Sequence, residues 1–263
     1  MEFENIIFQK RGSVAEIRLN RPKSFNAMSL GLLNDLLSAL EACSDDGDIR
    51  AVILTGEGRA FCSGGDLAAF KDAVDTNPAA PIRELVTVLN RVILAVRNMP
   101  KPVIAAINGA VGGAGMSLAA ACDLRICAAS AKFRQAYTGV GLVPDGAWSL
   151  LVPLLIGFNK AQELIFLNEA FDAGNALRWG LVHQVVDDGD LEKASLALAE
   201  RLAQGPTKAF ALAKANLNSA MMGILERQLE LERAGIVNAA STADYKGGVK
   251  AFFEKRPPTF AGK

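Results

Sequence analysis

Apolar and polar residues alternate at the start of the chain and then change to a helical spacing. "NIIFQKRG" and "VAEIRL" have the period-two pattern of strands and predict a hairpin. Ser29 precedes Leu32, Leu33, Leu36, Leu37 and Leu40, whose separations of three and four predict an amphipathic helix with Ser29 as its N-cap. "AVILTG", Ala51 to Gly56, is apolar enough for a buried strand. A glycine-bearing loop follows, "EGRAFCSGGDL", then a polar stretch ending in "TNPAAP" that predicts mobility, then a helix from Ile82 to Arg97.

From Pro102 to Cys122 no residue is charged, a run long enough to cross a bilayer. Asn108, Gly109, Gly112, Gly113 and Gly115 interrupt it, so a buried strand, a glycine turn and a helix of small residues fit better. Beyond Leu151 the pattern is mostly helical. "DAGNALRWG" predicts a helix capped by Asp172 and stopped by Gly180, and "LVHQVVD" predicts one more strand. Strand signals end near Leu191. The expectation is an α/β fold with a core over residues 1–190 and a helical C-terminal region over 191–263.

Composition narrows the function. About half of the 263 residues are hydrophobic and the net charge is zero, so nothing attracts nucleic acid or an anionic membrane surface over the whole molecule. The acidic start "MEFENIIFQKRG" lacks a secretory pattern, which makes the cytoplasm the expected location. Cys43, Cys62, Cys122 and Cys127 show no CxxC spacing and His183 is the single histidine, so no metal site is expected. His183 itself reads as a core or subunit-contact residue, and Asp123 as a structural hydrogen-bond acceptor.

Two glycine loops carry candidate chemistry. In "FCSGGDL", Gly64 and Gly65 allow positive φ and close approach of a ligand, and Asp66 can cap the next helix. In "NGAVGGAGMSL" a buried strand runs through glycines into a helix, whose first N–H groups lack partners. Either loop can bind an anion or a developing oxyanion, and either can equally reflect tight packing of helix on strand. Neither matches a dinucleotide-binding fingerprint.

A lone carboxylate is the third feature. Asp145 in "TGVGLVPDGAWSLL" has no basic residue nearby in the chain, and a buried unpaired carboxylate has a raised pKa. It is either a poised acid/base group or the cap of a helix starting near Gly146, since Pro-Asp-Gly is also a turn signal.

Taken together and in order, "RAFCSGGDL", "KPVIAAINGAVGGAGMSLAAACDLRICA", "AKFRQAYTGVGLVPDGAW", "ALRWGLVHQVV" and "FFEKRPPTF" resemble the crotonase (enoyl-CoA hydratase/isomerase) family over almost the whole chain. The resemblance implies a crotonase-like spiral core of ββα units, a helical C-terminal region used for trimerisation, and assembly as homotrimers or dimers of trimers. It implies an acyl-CoA thioester substrate and no separate cofactor, the CoA being part of the substrate. Peptide N–H groups of Gly65 and Ala114 would hold the thioester oxygen, alanine standing where the family usually has glycine. Lys23, Phe25, Ala27, Ser63, Gly64, Asp66, Leu67 and Ala68 would lie along the CoA, with Phe252 and Lys255 in reach of a neighbouring subunit's CoA. Without the resemblance, "FFEKRPPTF" reads as a helix end packed on its own subunit.

The chain departs from the family's hydratases, which hold a water between two glutamates. Those places carry Ser117 and Tyr137, poor proton-transfer groups near neutral pH. Asp145 stands where the family's double-bond and ring isomerases carry a single acid, so a double-bond shift with Asp145 as acid/base is the expected activity. Tyr137 is then placed to lie against the acyl chain or to donate a hydrogen bond. The alternatives are an atypical hydratase, an enzyme like the aryl-CoA dehalogenases, which lacks their histidine at Asn90, and a CoA-binding protein without catalysis. An RNA-binding role finds no basic cluster with interleaved aromatics.

Overall fold

The computed structural model describes residues 3–263. The predicted hairpin is β1 (Ile6–Arg11) and β2 (Val14–Leu19), antiparallel with Ile6 opposite Leu19. α1 (Leu30–Asp45) begins as expected: the Ser29 side chain accepts the Leu32 N–H, and Leu32, Leu33, Leu36, Leu37 and Leu40 are buried.

A unit of two strands and a helix then recurs. β3 (Ala51–Gly56) and β4 (Ala60–Cys62) are followed by α2 (Leu67–Phe70) and α3 (Ala79–Asn98). β5 (Val103–Ile107) and β6 (Ala110–Gly112) are followed by α4 (Ala114–Ala121). β7 (Leu124–Ala128) and β8 (Lys132–Arg134) lead to α5 (Trp148–Ile156) and α6 (Phe158–Leu167). β9 (Phe171–Asp172), α7 (Ala173–Arg178) and β10 (Gln184–Val186) close the strand-bearing part. The first strand of each unit joins a six-stranded sheet, ordered β1-β2-β3-β5-β7-β10, and the second a four-stranded sheet, β4-β6-β8-β9. Parallel neighbours need a crossover, and here each crossover carries the second strand and the helix together. This is the expected ββα spiral of an α/β fold.

Three local expectations change. α3 starts at Ala79, so the end of "TNPAAP" is its first turn, where Pro81 loses no helical hydrogen bond. The polar stretch before it also holds α2 and a 3-10 turn, Lys71–Ala73. Of the two places expected for His183 the core is excluded, since it is exposed and precedes β10; its main-chain N–H donates to Arg125 O and its Nδ1 accepts the Arg125 N–H.

Four helices end the chain: α8 (Leu191–Ala203), α9 (Thr207–Ser219), α10 (Met222–Ala240) and α11 (Ala243–Phe253). α8 packs on the six-stranded sheet, where Leu191, Ala199 and Ala203 cover Val14, Ile53, Ile104 and Ile126. It therefore completes the α/β core, although it lies beyond residue 190. α10 packs on α3 and α5, and α11 on the 3-10 turn Thr138–Val140, which returns the helical region to the face bearing the glycine loops. Among the described residues no helix is long and apolar enough to cross a membrane.

Candidate active site

β4 and β6 run side by side in parallel, so the glycine loops that follow them meet at one end. Backbone packs directly on backbone there. A Cβ on Gly115 would lie 2.2 Å from Cys62 O, and Gly64, at φ +102°, would bring one to 3.4 Å from Ala114 N. Sterics thus fix these two glycines. Around Gly65, Met28 N donates to Gly64 O and Asp66 N donates to Met28 O, which leaves the intervening Gly65 N–H outside the ladder. Ala114 is the first residue of α4, and its N–H has no carbonyl to reach within the helix. Among the described residues neither N–H donates to another group of the chain, and both residues line one cavity of about 600 Å³. An alanine at this position supplies the same donor as a glycine.

Asp145 lines the same cavity and is only 4 % exposed. It is not a helix cap. α5 starts at Trp148 after Gly146 and Ala147, both with positive φ, and the carboxyl turns instead to the Tyr137 hydroxyl, which donates to Oδ1 at 2.6 Å. Ser117 Oγ lies 3.1 Å from the Tyr137 hydroxyl and donates to the Asp145 main-chain carbonyl at 2.7 Å. Oδ2 has no hydrogen-bond partner among the described residues. Burial pushes the Asp145 pKa up to about 7; the Tyr137 hydrogen bond opposes this, and the negative charge of Glu232 adds to it. The Tyr137 phenol is held well above its ordinary value, first by burial and then by the Asp145 charge, so it stays protonated and acts as a donor.

Counting protons shows how the trio suits proton transfer. With Asp145 ionised, Tyr137 donates to Oδ1 and Ser117 to the Asp145 carbonyl. With Asp145 protonated on Oδ2, Tyr137 still donates to Oδ1 and Ser117 to the carbonyl. Both states use the same heavy-atom positions. The acid can therefore gain and return a proton with little reorganisation.

The cavity gathers most of the other residues singled out by the sequence. Phe25, Ala27, Ser63 and Gly64 lie on its wall, as do Asp66, Leu67 and Ala68. Asp66 caps α2 through the Ala68 N–H and pairs with Arg21 at 2.9 Å, so its charge is neutralised. Lys23 is exposed and off the wall, as is Lys255. Phe252 lies on the wall of its own chain's cavity, beside Phe253 and Arg256, because α11 folds back over this face. Another part of the wall is apolar, with Phe70, Ile82, Leu85, Val86, Leu142 and Ile236. No group of three or more potential metal ligands is found among the described residues.

Sequence alone missed Glu232 of α10. The residue is 5 % exposed, and its carboxylate accepts the Ala147 N–H at 2.6 Å, the Ser149 N–H at 2.8 Å and the Ser149 hydroxyl. In "LERQLELERAG" it reads as one more charge on a solvated helix face. Ser117, at one of the places where the hydratases carry a glutamate, bonds to the Asp145 carbonyl beside Tyr137.

Known proteins resemble the chain over nearly its whole length. The family model described as enoyl-CoA hydratase/isomerase matches residues 9–263. A protein of Escherichia coli named 1,2-epoxyphenylacetyl-CoA isomerase is 39% identical over 264 residues, and one of Rhodobacter capsulatus named probable enoyl-CoA hydratase is 38% identical over 267, each match covering 100% of both chains. The crystal structure of an enoyl-CoA hydratase from Mycobacterium avium subsp. paratuberculosis superposes with a TM-score of 0.89 at 30% identity, covering 99% of this chain and 100% of that one.

Proposed function

The chain belongs to the enoyl-CoA hydratase/isomerase family, and from that premise we propose that it is an acyl-CoA isomerase that shifts a double bond through a thioester enolate, with Asp145 as the single acid/base. One observation carries this. The acids on the cavity wall, among the described residues, are Asp66 and Asp145, and Asp66 is bound to Arg21. Hydration needs one group to take a proton from water and a second to protonate the substrate, whereas a double-bond shift needs one group used twice.

The thioester oxygen sits between the Gly65 and Ala114 N–H groups. The Asp145 carboxylate removes a proton from C2 of a 3-enoyl-CoA, and the charge spreads over a dienolate held by the two donors. The protonated carboxyl then returns the proton at C4, giving the conjugated 2-enoyl-CoA. Each donor contributes about 3 kcal/mol to such a step when preorganised and shielded from water. Phe25, Ala27, Ser63, Leu67 and Ala68 serve the CoA, and the apolar wall of α3 takes the acyl group. A ring substrate is compatible with the same proton economy, and the name of the Escherichia coli relative favours it. Trimer formation through the helical region belongs to the same proposal.

The second reading, an atypical hydratase, has the name of the Rhodobacter relative behind it. Incubation with 3-enoyl-CoA and, separately, 2-enoyl-CoA distinguishes the two by mass and absorbance. The isomerase forms conjugated 2-enoyl-CoA without gain of mass. Water addition to 2-enoyl-CoA at a comparable rate would overturn the proposal.

A further inference from the structure

We infer that Glu232 is a positioning residue for Asp145: from α10 it holds the turn on which the acid sits and places a second buried negative charge behind it. The inference rests on Asp145 as the acid/base group. It starts from a helix that cannot cap itself. The first N–H groups of α5 have no partners inside the helix, and the residue at its N-cap, Ala147, has no polar side chain. Ala147 is fully buried at φ +64° and follows Gly146 at φ +65°, a conformation that an L-residue adopts only when its surroundings impose it.

Glu232 imposes it. Its carboxylate takes the Ala147 N–H, two residues after Asp145, together with the Ser149 N–H and hydroxyl. Gln228, one turn earlier on α10, donates to Ser149 Oγ at 2.8 Å, which directs the Ser149 hydroxyl proton at Glu232. Burial raises the Glu232 pKa, while these donors favour the charged form, as does the positive end of α5. α4 and α3 close the other sides of the turn with Ser117 and Leu89, both against Gly146. The titratable groups facing Asp145 are therefore Tyr137 and Glu232.

Removing the charge has two consequences for Asp145. The acid loses a negative neighbour and gains an uncompensated helix N-terminus, and both lower its pKa. The turn also loses its anchor, so the carboxyl is aimed less well. A role confined to stability would produce neither effect.

The test is an infrared titration of the Asp145 carboxyl in protein carrying isotopically labelled aspartate, its band assigned by loss in Asp145→Asn, together with kcat and KM against pH. In Glu232→Gln the carboxyl midpoint is expected to fall by about half a unit or more. The acid limb of kcat should move with it, and the plateau of kcat should drop about tenfold with little change in KM. Glu232→Asp keeps the charge but shortens its reach, so it should lower kcat and leave the midpoint in place. An unchanged midpoint in Glu232→Gln, or full kcat in both variants with only the melting temperature lowered, would overturn the inference. Retention of isomerase activity by Asp145→Asn would instead strike at the assignment of the acid, and the infrared midpoint would still report on Glu232.

Discussion

The Tyr137 hydroxyl donates to Oδ1 of Asp145 at 2.6 Å, on a cavity wall whose other acid among the described residues, Asp66, is paired with Arg21. A tyrosine that cannot ionise near neutrality serves as a fixed donor. Its effect on Asp145 is to favour the carboxylate against the burial that raises its pKa.

The isomerisation rate is therefore predicted to rise with pH through about 7, as Asp145 loses its proton and becomes a base. Tyr137→Phe removes the donor that favours the carboxylate and moves this limb to higher pH. The pH dependence of kcat/KM in both proteins checks this. A limb that stays in place would mean that the hydrogen bond does not tune the acid.

The same shift bears on stability. The folded protein holds the Asp145 proton up to about 7, whereas the unfolded chain releases it near 3.8. The stability of the neutral buried form is fully present below about 3.8 and is lost as the pH rises through about 7. Asp145→Asn escapes that loss. Its melting temperature relative to the parent is predicted to be more favourable at pH 8 than at pH 4, and an equal difference at both would contradict a raised pKa.

Ala114→Pro tests one oxyanion donor. Proline is tolerated at the first position of a helix, so α4 should persist while the N–H is lost and the ring intrudes on its place. Activity is predicted to fall about 100-fold or more while free CoA still binds. Calorimetry with CoA and turnover measurements separate the two effects.

Gly115→Ala sets helix propensity against sterics. Alanine in a helix gains about 1 kcal/mol over glycine. The new Cβ, however, would stand 2.2 Å from the Cys62 carbonyl, and only movement of one glycine loop can relieve that. Such overpacking costs about 1–3 kcal/mol or more, so a lower denaturation midpoint and loss of activity are predicted. A stabilised, active variant would show that the loops are not in register as described.

Much of this was legible in the sequence because the signals were local. The leucine spacing after Ser29, the unbroken strand at Ala51–Gly56 and the cap at Asp172 each depend on neighbours a few residues away, and each is found in place. The family resemblance set residues of the glycine loops and Asp145 side by side, and Gly64, Gly65, Ala114 and Asp145 line one cavity. What escaped depends on contacts between distant segments. Nothing near Glu232 shows that it caps a helix about 85 residues earlier in the chain. The partner of Asp123 was equally invisible: Lys214 Nζ lies 2.7 Å away, from α9, while the other bond goes to the Val103 N–H. The fold-back of α11, which brings Phe252 to its own cavity, is tertiary as well.

The most direct test of the central claim follows a label. A 3-enoyl-CoA deuterated at C2 is converted in ordinary water, and the deuterium at C4 of the product is measured over a single turnover. One carboxyl that takes and returns the proton predicts transfer of label from C2 to C4, and loss of turnover in Asp145→Asn. Complete solvent hydrogen at C4, with turnover intact in Asp145→Asn, would contradict it.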